Sequence, residues 1–304
     1  MLYLCATPIG NLGDMTGRVI DTLKDVDLIA AEDTRQTIKL LNHFDIKKPM
    51  VAYHEHNRYE MTPVLVERLI AGESIALVTD AGTPAISDPG EDLVRACHEA
   101  GVKVTSLPGA TAFTTALTLS GLSARRFTFE GFLPQDKKER EYVLNRLRST
   151  SITTVFYEAP HRLVKTLKIL KGALDTDMDD AAKKDGEGID LRISPRSVVV
   201  TKELTKKHEW YKRFSDVNEA IRFFEETEAP RGEFVIVIEG LDTKEIESNE
   251  QKRWQEMTIE EHMEIYLSDG IEKKEAMRRV AKDRGVSKRD VYRELLDQEN
   301  TDHI

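Results

Sequence analysis

Residues 77–90 have the composition of a ligand-binding loop. They read Leu-Val-Thr-Asp-Ala-Gly-Thr-Pro-Ala-Ile-Ser-Asp-Pro-Gly and follow directly on a short apolar run. Gly82 allows a positive φ and a close approach of the backbone to a ligand, while two prolines fix the path of the loop. Ser87 or Asp88 is expected to cap the helix that starts near Pro89. The chemistry predicted here is ligand binding by the backbone of a rigid loop.

The apolar run before this loop predicts a strand that is buried on both faces, as in a parallel sheet. Open parallel sheets bind their ligands at the carboxyl ends of the strands, which is where this loop lies. An ordinary βα turn is the alternative. The density of Asp, Gly, Pro and Ser favours a binding loop.

Three further loops of similar character each follow an apolar run. They are 7–12 (Thr-Pro-Ile-Gly-Asn-Leu), 32–35 (Glu-Asp-Thr-Arg) and 107–111 (Leu-Pro-Gly-Ala-Thr). The first lacks both the Gly-x-Gly-x-x-Gly spacing of a dinucleotide fold and a Walker Lys-Ser/Thr, so neither fingerprint is claimed. All four loops are expected to gather on one edge of the sheet.

Strands alternate with helices through the first part of the chain and change character after Gly121. Up to that point, five predicted strands separated by helices indicate a parallel, doubly wound sheet. Further on, predicted strands follow one another directly, which favours a mixed sheet. We therefore predict an α/β fold with two domains, an N-terminal domain at 1–121 and a second α/β domain at 122–242.

Three other segments have distinct compositions. An acidic insert at about 175–193, without apolar periodicity, predicts a solvated loop or disordered segment. Residues 243–257 are predicted to be a polar linker, and 258–304 a small helical basic tail in which Ser287 and Asp290 form a partial capping box. The tail cations are Lys273, Lys274, Arg278, Arg279, Lys282, Arg284, Lys288, Arg289 and Arg293. A solvated helix face is the usual meaning of such a run, while two helices joined by a Gly turn favour a phosphate-contacting module.

Composition limits the remaining classes of function. The two cysteines, Cys5 and Cys97, lie in apolar elements and predict core residues, not a disulfide framework or a zinc site. His54 and His56 lack a nearby third ligand, so we predict no metal. A net charge of −10 argues against a nucleic-acid footprint over the whole surface but allows a local basic patch. With no apolar run of about 20 residues, we expect a cytoplasmic protein without a membrane span.

Six segments taken together resemble the tetrapyrrole methylase superfamily and, within it, the ribosomal RNA small subunit methyltransferase I family. They are the four loops above together with 130–134 (Glu-Gly-Phe-Leu-Pro) and 157–162 (Tyr-Glu-Ala-Pro-His-Arg). The resemblance covers roughly 2–240 and the tail after 258, and the acidic insert departs from it. It implies a two-domain homodimer that binds S-adenosylmethionine between its domains. The expected activity is methylation of a cytidine ribose 2'-hydroxyl in small-subunit (16S) rRNA, as naked RNA or in the assembled small ribosomal subunit.

The resemblance also implies which residues hold the cofactor. S-adenosylmethionine carries a sulfonium cation and an adenine, so its site needs backbone polar groups and an apolar slot more than a phosphate cradle. The implied cofactor-binding residues are Pro8, Gly10, Asp80, Ala81, Gly82, Thr83, Pro84, Ser87, Asp88, Pro108, Gly109, Ala110, Thr111, Tyr157, Ala159 and Gly232.

A ribose hydroxyl is a weak nucleophile, so a general base would assist alignment of the reacting atoms. The candidate bases are Asp33, Glu158 and His161. For Asp33 the alternative is a helix cap paired with a neighbouring arginine, and for His161 a hydrogen-bonded residue at a helix N-terminus. The predicted RNA contacts are Arg35, Arg162, Lys273, Arg278, Arg279, Lys288 and Arg289.

Two rival functions are kept. A corrin or porphyrin C-methyltransferase uses the same chemistry, but a small macrocycle gives no reason for a basic helical tail. A noncatalytic RNA-binding protein on the same scaffold is the rival from another class, and the intact Gly-Pro loops weigh against it. Detectable cofactor binding would distinguish it from an enzyme.

Overall fold

The structure is a computed structural model that describes residues 1–174, 194–226, 230–242, 254 and 257–301. The predicted acidic insert and nearly all of the predicted linker lie outside the described residues. Their interpretation, like the predicted domain boundaries, therefore stays a prediction.

The first sheet is parallel and has five strands. These are β1 (Leu2–Cys5), β2 (Leu28–Ala31), β3 (Met50–Ala52), β4 (Ile75–Val78) and β5 (Val104–Leu107), in the spatial order β3-β2-β4-β1-β5. Every neighbouring pair is parallel. The predicted doubly wound sheet is confirmed.

Helices cover both faces of this sheet. A 3₁₀ turn (Leu12–Asp14), α1 (Gly17–Asp25) and α2 (Thr34–His43) follow β1 and β2, and α3 (Arg58–Ile70) and α4 (Gly90–Glu99) follow β3 and β4. Ala76 and Val78 of β4 pack in the core with α1 and α2, whereas Ile75 and Leu77 pack in the core with α3 and α4. This two-sided burial is why β4 is continuously apolar.

The second sheet is mixed and also has five strands. They are β6 (Phe127–Phe132), β7 (Thr153–Glu158), β8 (Val198–Lys202), β9 (Trp210–Phe214) and β10 (Phe234–Ile238), in the order β6-β7-β10-β8-β9. Among the described strands only β6 and β7 pair in parallel, and the other neighbours are antiparallel. The predicted mixed sheet is therefore confirmed.

The second sheet is also covered on both faces. One face packs on α6 (Lys137–Ser149), α7 (Leu163–Leu174) and α8 (Val217–Glu226). The other face packs on α5 (Ala112–Ser120), which follows the last strand of the first sheet. Because α5 leaves one sheet and covers the next, the loop between β5 and α5 faces the second sheet.

The C-terminal helices share a small core of their own. They are α9 (Ile259–Ser268), α10 (Lys273–Asp283) and α11 (Lys288–Thr301), packed around buried residues that include Met263, Val280 and Val291. Ser287 and Asp290 cap α11 reciprocally, each backbone N–H donating to the other side chain at 3.2 Å. The predicted capping box is confirmed. Among the described helices none is long and apolar enough to span a bilayer.

Both cysteines are core residues, as predicted. Cys5 is buried with α1 and α2, and Cys97 is buried with α3 and α4. Burial raises the pKa of the Cys5 thiol to about 12 and that of the Cys97 thiol to about 11. Neither thiol is thus prepared for nucleophilic chemistry.

Candidate active site between the two sheets

A cleft of about 450 Å³ lies between the carboxyl edge of the first sheet and the second sheet. One wall comes from the loops after β1, β2, β4 and β5, as predicted. The other wall comes from β6, the end of β7, the loop after β8 and the start of β10. The lining residues are Ile9, Glu32, Thr79, Asp80, Ala81, Gly82, Thr83, Ile86, Ser87, Asp88, Thr111, Ala112, Phe132, Tyr157, Glu158, Ala159, Pro160, Leu204, Glu233, Phe234 and Val235.

Hydrogen bonds join three of the loops into one unit. Thr7 and Gly82 exchange two backbone bonds, with N···O distances of 2.9 and 3.1 Å. The Thr7 hydroxyl also donates to the Thr79 carbonyl at 3.0 Å, and the Thr83 hydroxyl donates to the Ala110 carbonyl at 3.0 Å. Gly82 has a φ of 90°, which few other residues tolerate. The floor of the cleft is therefore fixed before any ligand binds.

Asp88 shapes the loop after β4. Its carboxylate accepts backbone N–H bonds from Ala85 at 3.0 Å, Ile86 at 3.1 Å and Gly90 at 2.8 Å. Within this loop Ala85 and Ser87 have φ values of 66° and 63°, a conformation that costs energy in residues with a Cβ. Asp88, and not Ser87, thus supplies the acceptor at the start of α4. Burial raises the pKa of Asp88.

The charged side chains that line the cleft are all acidic. They are Glu32, Asp80, Asp88, Glu158 and Glu233, and no Lys, Arg or His side chain lines it among the described residues. Burial, and then the charges of Glu32 and Asp33, raise the pKa of Asp80 above its ordinary value. Glu158 is paired with Arg162 at 3.5 Å and Glu233 with Lys206 at 3.0 Å, so the negative charge that favours a cationic ligand comes from Glu32, Asp80 and Asp88.

Glu158 lies in the cleft wall with its carboxylate fully engaged. The residue is 2% exposed and accepts from the Ala159 N–H at 2.8 Å and the Thr166 hydroxyl at 2.5 Å. The Arg162 Nε lies 3.5 Å from Oε1, the oxygen that accepts the Ala159 N–H, and the same guanidinium donates to the Leu133 carbonyl at 2.8 Å. Both members of this pair brace the wall, so neither projects freely toward a substrate.

Asp33 caps α2 and pairs with Arg35. Its carboxylate accepts from the Arg35 backbone N–H at 2.8 Å and from the guanidinium at 3.1 and 2.8 Å. These bonds lower the pKa of Asp33 to about 2, which makes it a weak base. The Asp33 N–H in turn donates to Asp80 at 3.2 Å, which places the pair beside the cleft. His161 is exposed and follows Pro160, a lining residue.

Several predicted cofactor residues lie outside the lining of the cleft. A Cβ on Gly109 would lie 2.5 Å from the Ala6 Cβ, so this glycine lets the β5 loop approach β1. A Cβ on Gly10 would lie 2.2 Å from the Lys206 Cγ, and one on Gly232 would lie 2.5 Å from the Glu203 Cγ. Lys206 and Glu203 form an ion pair at 2.9 Å. Gly10 and Gly232 therefore accommodate this pair. The predicted residues outside the lining are Pro8, Gly10, Pro84, Pro108, Gly109, Ala110 and Gly232.

Sequence reasoning missed roughly half of the lining. Glu32 and Phe132 lie inside the segments 32–35 and 130–134, but neither is among the predicted site residues. Leu204 and the start of β10 had no local signal, because only the antiparallel pairing of β8 and β10 brings them together. The other missed lining residues are Ile9, Thr79, Ile86, Ala112 and Pro160.

The cations of the C-terminal helices divide into paired and unpaired groups. Arg278 and Arg279 bind Glu275 at 2.7 and 3.2 Å and lower its pKa to about 2. Lys288 and Arg289 are exposed in the first turn of α11, and neither forms a hydrogen bond or ion pair within the described part of the chain. These two are the better placed to meet a phosphate.

A family model described as Tetrapyrrole (Corrin/Porphyrin) Methylases matches residues 1–214. Two curated relatives are each named ribosomal RNA small subunit methyltransferase I. The relative from Halalkalibacterium halodurans is 46% identical over 96% of this chain and 93% of its own length. The relative from Bacillus subtilis is 45% identical over 96% of this chain and 92% of its own length.

Solved structures share the fold at low sequence identity. A diphthine synthase is 16% identical with a TM-score of 0.59, and the match covers 81% of this chain and 93% of that one. A uroporphyrin-III C-methyl transferase from Thermus thermophilus, complexed with S-adenyl homocysteine, is 17% identical with a TM-score of 0.50. That match covers 78% of this chain and 96% of the other.

Proposed function

Because the chain belongs to the ribosomal RNA small subunit methyltransferase I family of tetrapyrrole methylases, we propose that it methylates small-subunit rRNA with S-adenosylmethionine. The proposed acceptor is the ribose 2'-hydroxyl of a cytidine. We further propose that the protein acts as a homodimer in the cytoplasm, where ribosomal subunits are found.

The acidic lining of the cleft is the observation that supports S-adenosylmethionine as the cofactor in this proposal. S-adenosylmethionine is a sulfonium with an adenosine and a methionine portion, and it has no phosphate. Carboxylates such as Asp80 suit its positive charge, while Ile9, Leu204 and Val235 supply apolar walls. The rigid loops around Gly82 and Asp88 allow close contact by backbone groups.

The residues of the chain would bind the cofactor, align the acceptor ribose with it and exclude water from the cleft. When bound, the cofactor supplies an electrophilic methyl group, so the remaining task is to hold a ribose oxygen in line with it. Among the candidate bases we propose His161. The Glu158 carboxylate is buried in the wall beside Arg162, and the Asp33 carboxylate is ion-paired with Arg35. The imidazole is exposed beside Pro160 and takes part in no hydrogen bond within the residues that the structure describes.

The test is transfer of labelled methyl groups from S-adenosylmethionine to small ribosomal subunits that lack their native methylations. Label that resists alkaline cleavage of the RNA is expected, because a 2'-O-methyl group blocks the attacking hydroxyl. Fully methylated subunits serve as the control and should accept no label. Cofactor binding without label on RNA would favour a tetrapyrrole acceptor, and absence of cofactor binding would favour a noncatalytic RNA-binding protein.

Replacing Asp33 by asparagine should leave turnover within about threefold of wild type, because asparagine caps a helix as well as aspartate does. Loss of a true general base would instead lower the rate by roughly 10²- to 10⁴-fold. The measurement is kcat for methyl transfer at saturating subunits and cofactor. A loss of the larger size, with cofactor affinity unchanged, would restore Asp33 as the base.

Cofactor affinity should fall as the solution becomes acidic. Burial and the neighbouring acidic groups raise the pKa of Asp80 above 3.8. The attraction to a sulfonium is therefore fully present above that raised pKa and is lost as the pH falls through it. Calorimetric titration from neutral to mildly acidic pH would measure this. The Asp80→Asn variant should bind more weakly at neutral pH and respond less to acid, and an unchanged pH profile would contradict the assignment.

Reversing two tail charges should weaken RNA binding without affecting the cofactor. The double variant Lys288→Glu/Arg289→Glu removes two exposed cations that form no ion pair among the described residues. If each cation contacts one phosphate, the magnitude of the slope of log affinity against log salt concentration should decrease by about two. Arg278→Glu/Arg279→Glu is a control for charge, because Glu275 already pairs both residues. An unchanged salt slope in the first variant would place the RNA elsewhere.

A further inference from the structure

The strand β6 carries a bulge next to the cleft. Phe129 pairs with Val155 and Phe132 with Tyr157, so three steps along β6 match two along β7. Gly131 lies in this interval with a φ of 63°. One extra residue reverses the alternation of side chains beyond that point.

The reversal determines where two side chains go. Leu133 is 1% exposed and lies in the core with α6 and α7. Phe132 lies instead on the face of Phe129 and Tyr157, with its ring centroid 5.8 Å from that of Tyr157. It lines the cleft and yet is 49% exposed. Without the bulge, the alternation of a regular strand would exchange these two positions.

Two arginines hold the segment that follows. The Arg162 guanidinium donates to the Leu133 carbonyl at 2.8 Å, and the Arg140 guanidinium donates to the Gln135 carbonyl at 2.7 Å. Arg162 is itself paired with the buried Glu158. The bulge and the two arginine hydrogen bonds thus hold the Phe132 ring at the edge of the cleft, where it is 49% exposed.

We propose that Phe132 is the platform on which the base of the acceptor nucleotide stacks while its ribose enters the cleft. This inference rests on the proposed function. Proteins recognise single-stranded RNA by stacking unpaired bases on aromatic rings, and an exposed, pre-positioned ring suits that use. Phe132 is 49% exposed at the edge of the cleft, so its ring is accessible to a large acceptor, whereas the loops of the first sheet supply most of the lining where the cofactor would bind.

The test compares Phe132→Ala with Phe132→Trp and with Phe127→Ala in the methyl-transfer assay. Phe127 is a matched control, because it is an exposed aromatic residue of the same strand that does not line the cleft. Phe132→Ala should lower kcat/KM for small subunits by about tenfold, in the range that one lost stacking contact produces. Its Kd for S-adenosylmethionine should stay within twofold. Phe132→Trp should restore kcat/KM, and Phe127→Ala should leave it unchanged.

The contrary results distinguish failure of the proposed function from failure of the stacking platform alone. If the wild-type chain labels no RNA, the proposed function fails and the platform fails with it. If wild type is active and Phe132→Ala is equally active, the platform alone is refuted. A higher Kd of Phe132→Ala for S-adenosylmethionine would indicate that the ring contacts the adenine of the cofactor. A changed molecular mass in solution would indicate that the ring lies in a protein interface. Either result overturns the proposal.

Discussion

The Glu158→Ala variant should unfold with a free energy about 3 kcal/mol lower than wild type, at the lower end of what breaking a buried ion pair costs. The carboxylate is inaccessible to solvent, whereas its partner Arg162 is partly exposed, with 23% of its side chain accessible. Water can therefore compensate the arginine in part. The substitution also leaves the Ala159 N–H and the Thr166 hydroxyl without their acceptor. Urea denaturation, followed by circular dichroism, measures the difference.

The matched control is Glu158→Gln. Its amide oxygen can still accept one of these bonds, so it should lose clearly less stability than the alanine variant. The same variant tests Glu158 as a base. If it stays folded and its turnover nevertheless falls by roughly 10²-fold or more, the carboxylate has a chemical role. Equal destabilisation by Gln and Ala would instead show that the ion pair contributes little to the fold.

The layers of the fold can be predicted because they follow from local patterns of residue types. Ile75–Val78 is apolar at every position, which only a strand covered on both faces requires. Gly82 lies in the loop after β4 and Gly121 caps the end of α5, and both have positive φ values. Since the carboxyl ends of parallel strands share one edge, four loops could be placed together without knowledge of any contact.

The rest of the site depends on pairings that are distant in the chain. Leu204 reaches the cleft because β8 pairs with β10, and nothing in its own neighbourhood indicates this. Gly10 shows a similar dependence on tertiary structure. A Cβ at this position would meet the Lys206 side chain, which nothing in the sequence around Gly10 indicates. A glycine in the sequence can indicate that another group approaches the backbone closely, but only the tertiary structure shows which group that is.

The bulge at Gly131 explains why the sequence does not predict Phe132 as a lining residue of the cleft. A regular strand through Phe127 and Phe129 predicts that position 131 continues their face. The extra residue puts Phe132 there instead. Bulges have weak sequence signals beyond a glycine, so the direction of a side chain after one is hard to predict.

The Asp88→Ala variant should bind S-adenosylmethionine at least about tenfold more weakly, since hydrogen bonds to a charged group contribute about 1.5–3 kcal/mol each. Three amides would lose their common acceptor. Ala85 and Ser87 would then no longer be held at positive φ, a strain of order 1–3 kcal/mol per residue that is relieved by relaxation of the loop. Because the loop forms one side of the cleft, its relaxation should disorder the binding surface more than it destabilises the fold.

Calorimetry with S-adenosylmethionine, together with thermal unfolding, separates these two effects. Asp136→Ala is the matched control, because Asp136 also accepts backbone bonds, from Lys138 and Glu139 at 2.9 Å each, but caps α6 outside the cleft lining. It should lose about 1 kcal/mol of stability and keep its cofactor affinity. If Asp88→Ala binds the cofactor as wild type does, the strained loop is not what positions it. The binding surface would then have to be the part of the wall that the Thr7–Gly82 backbone bonds and the Thr83 hydroxyl hold independently of Asp88.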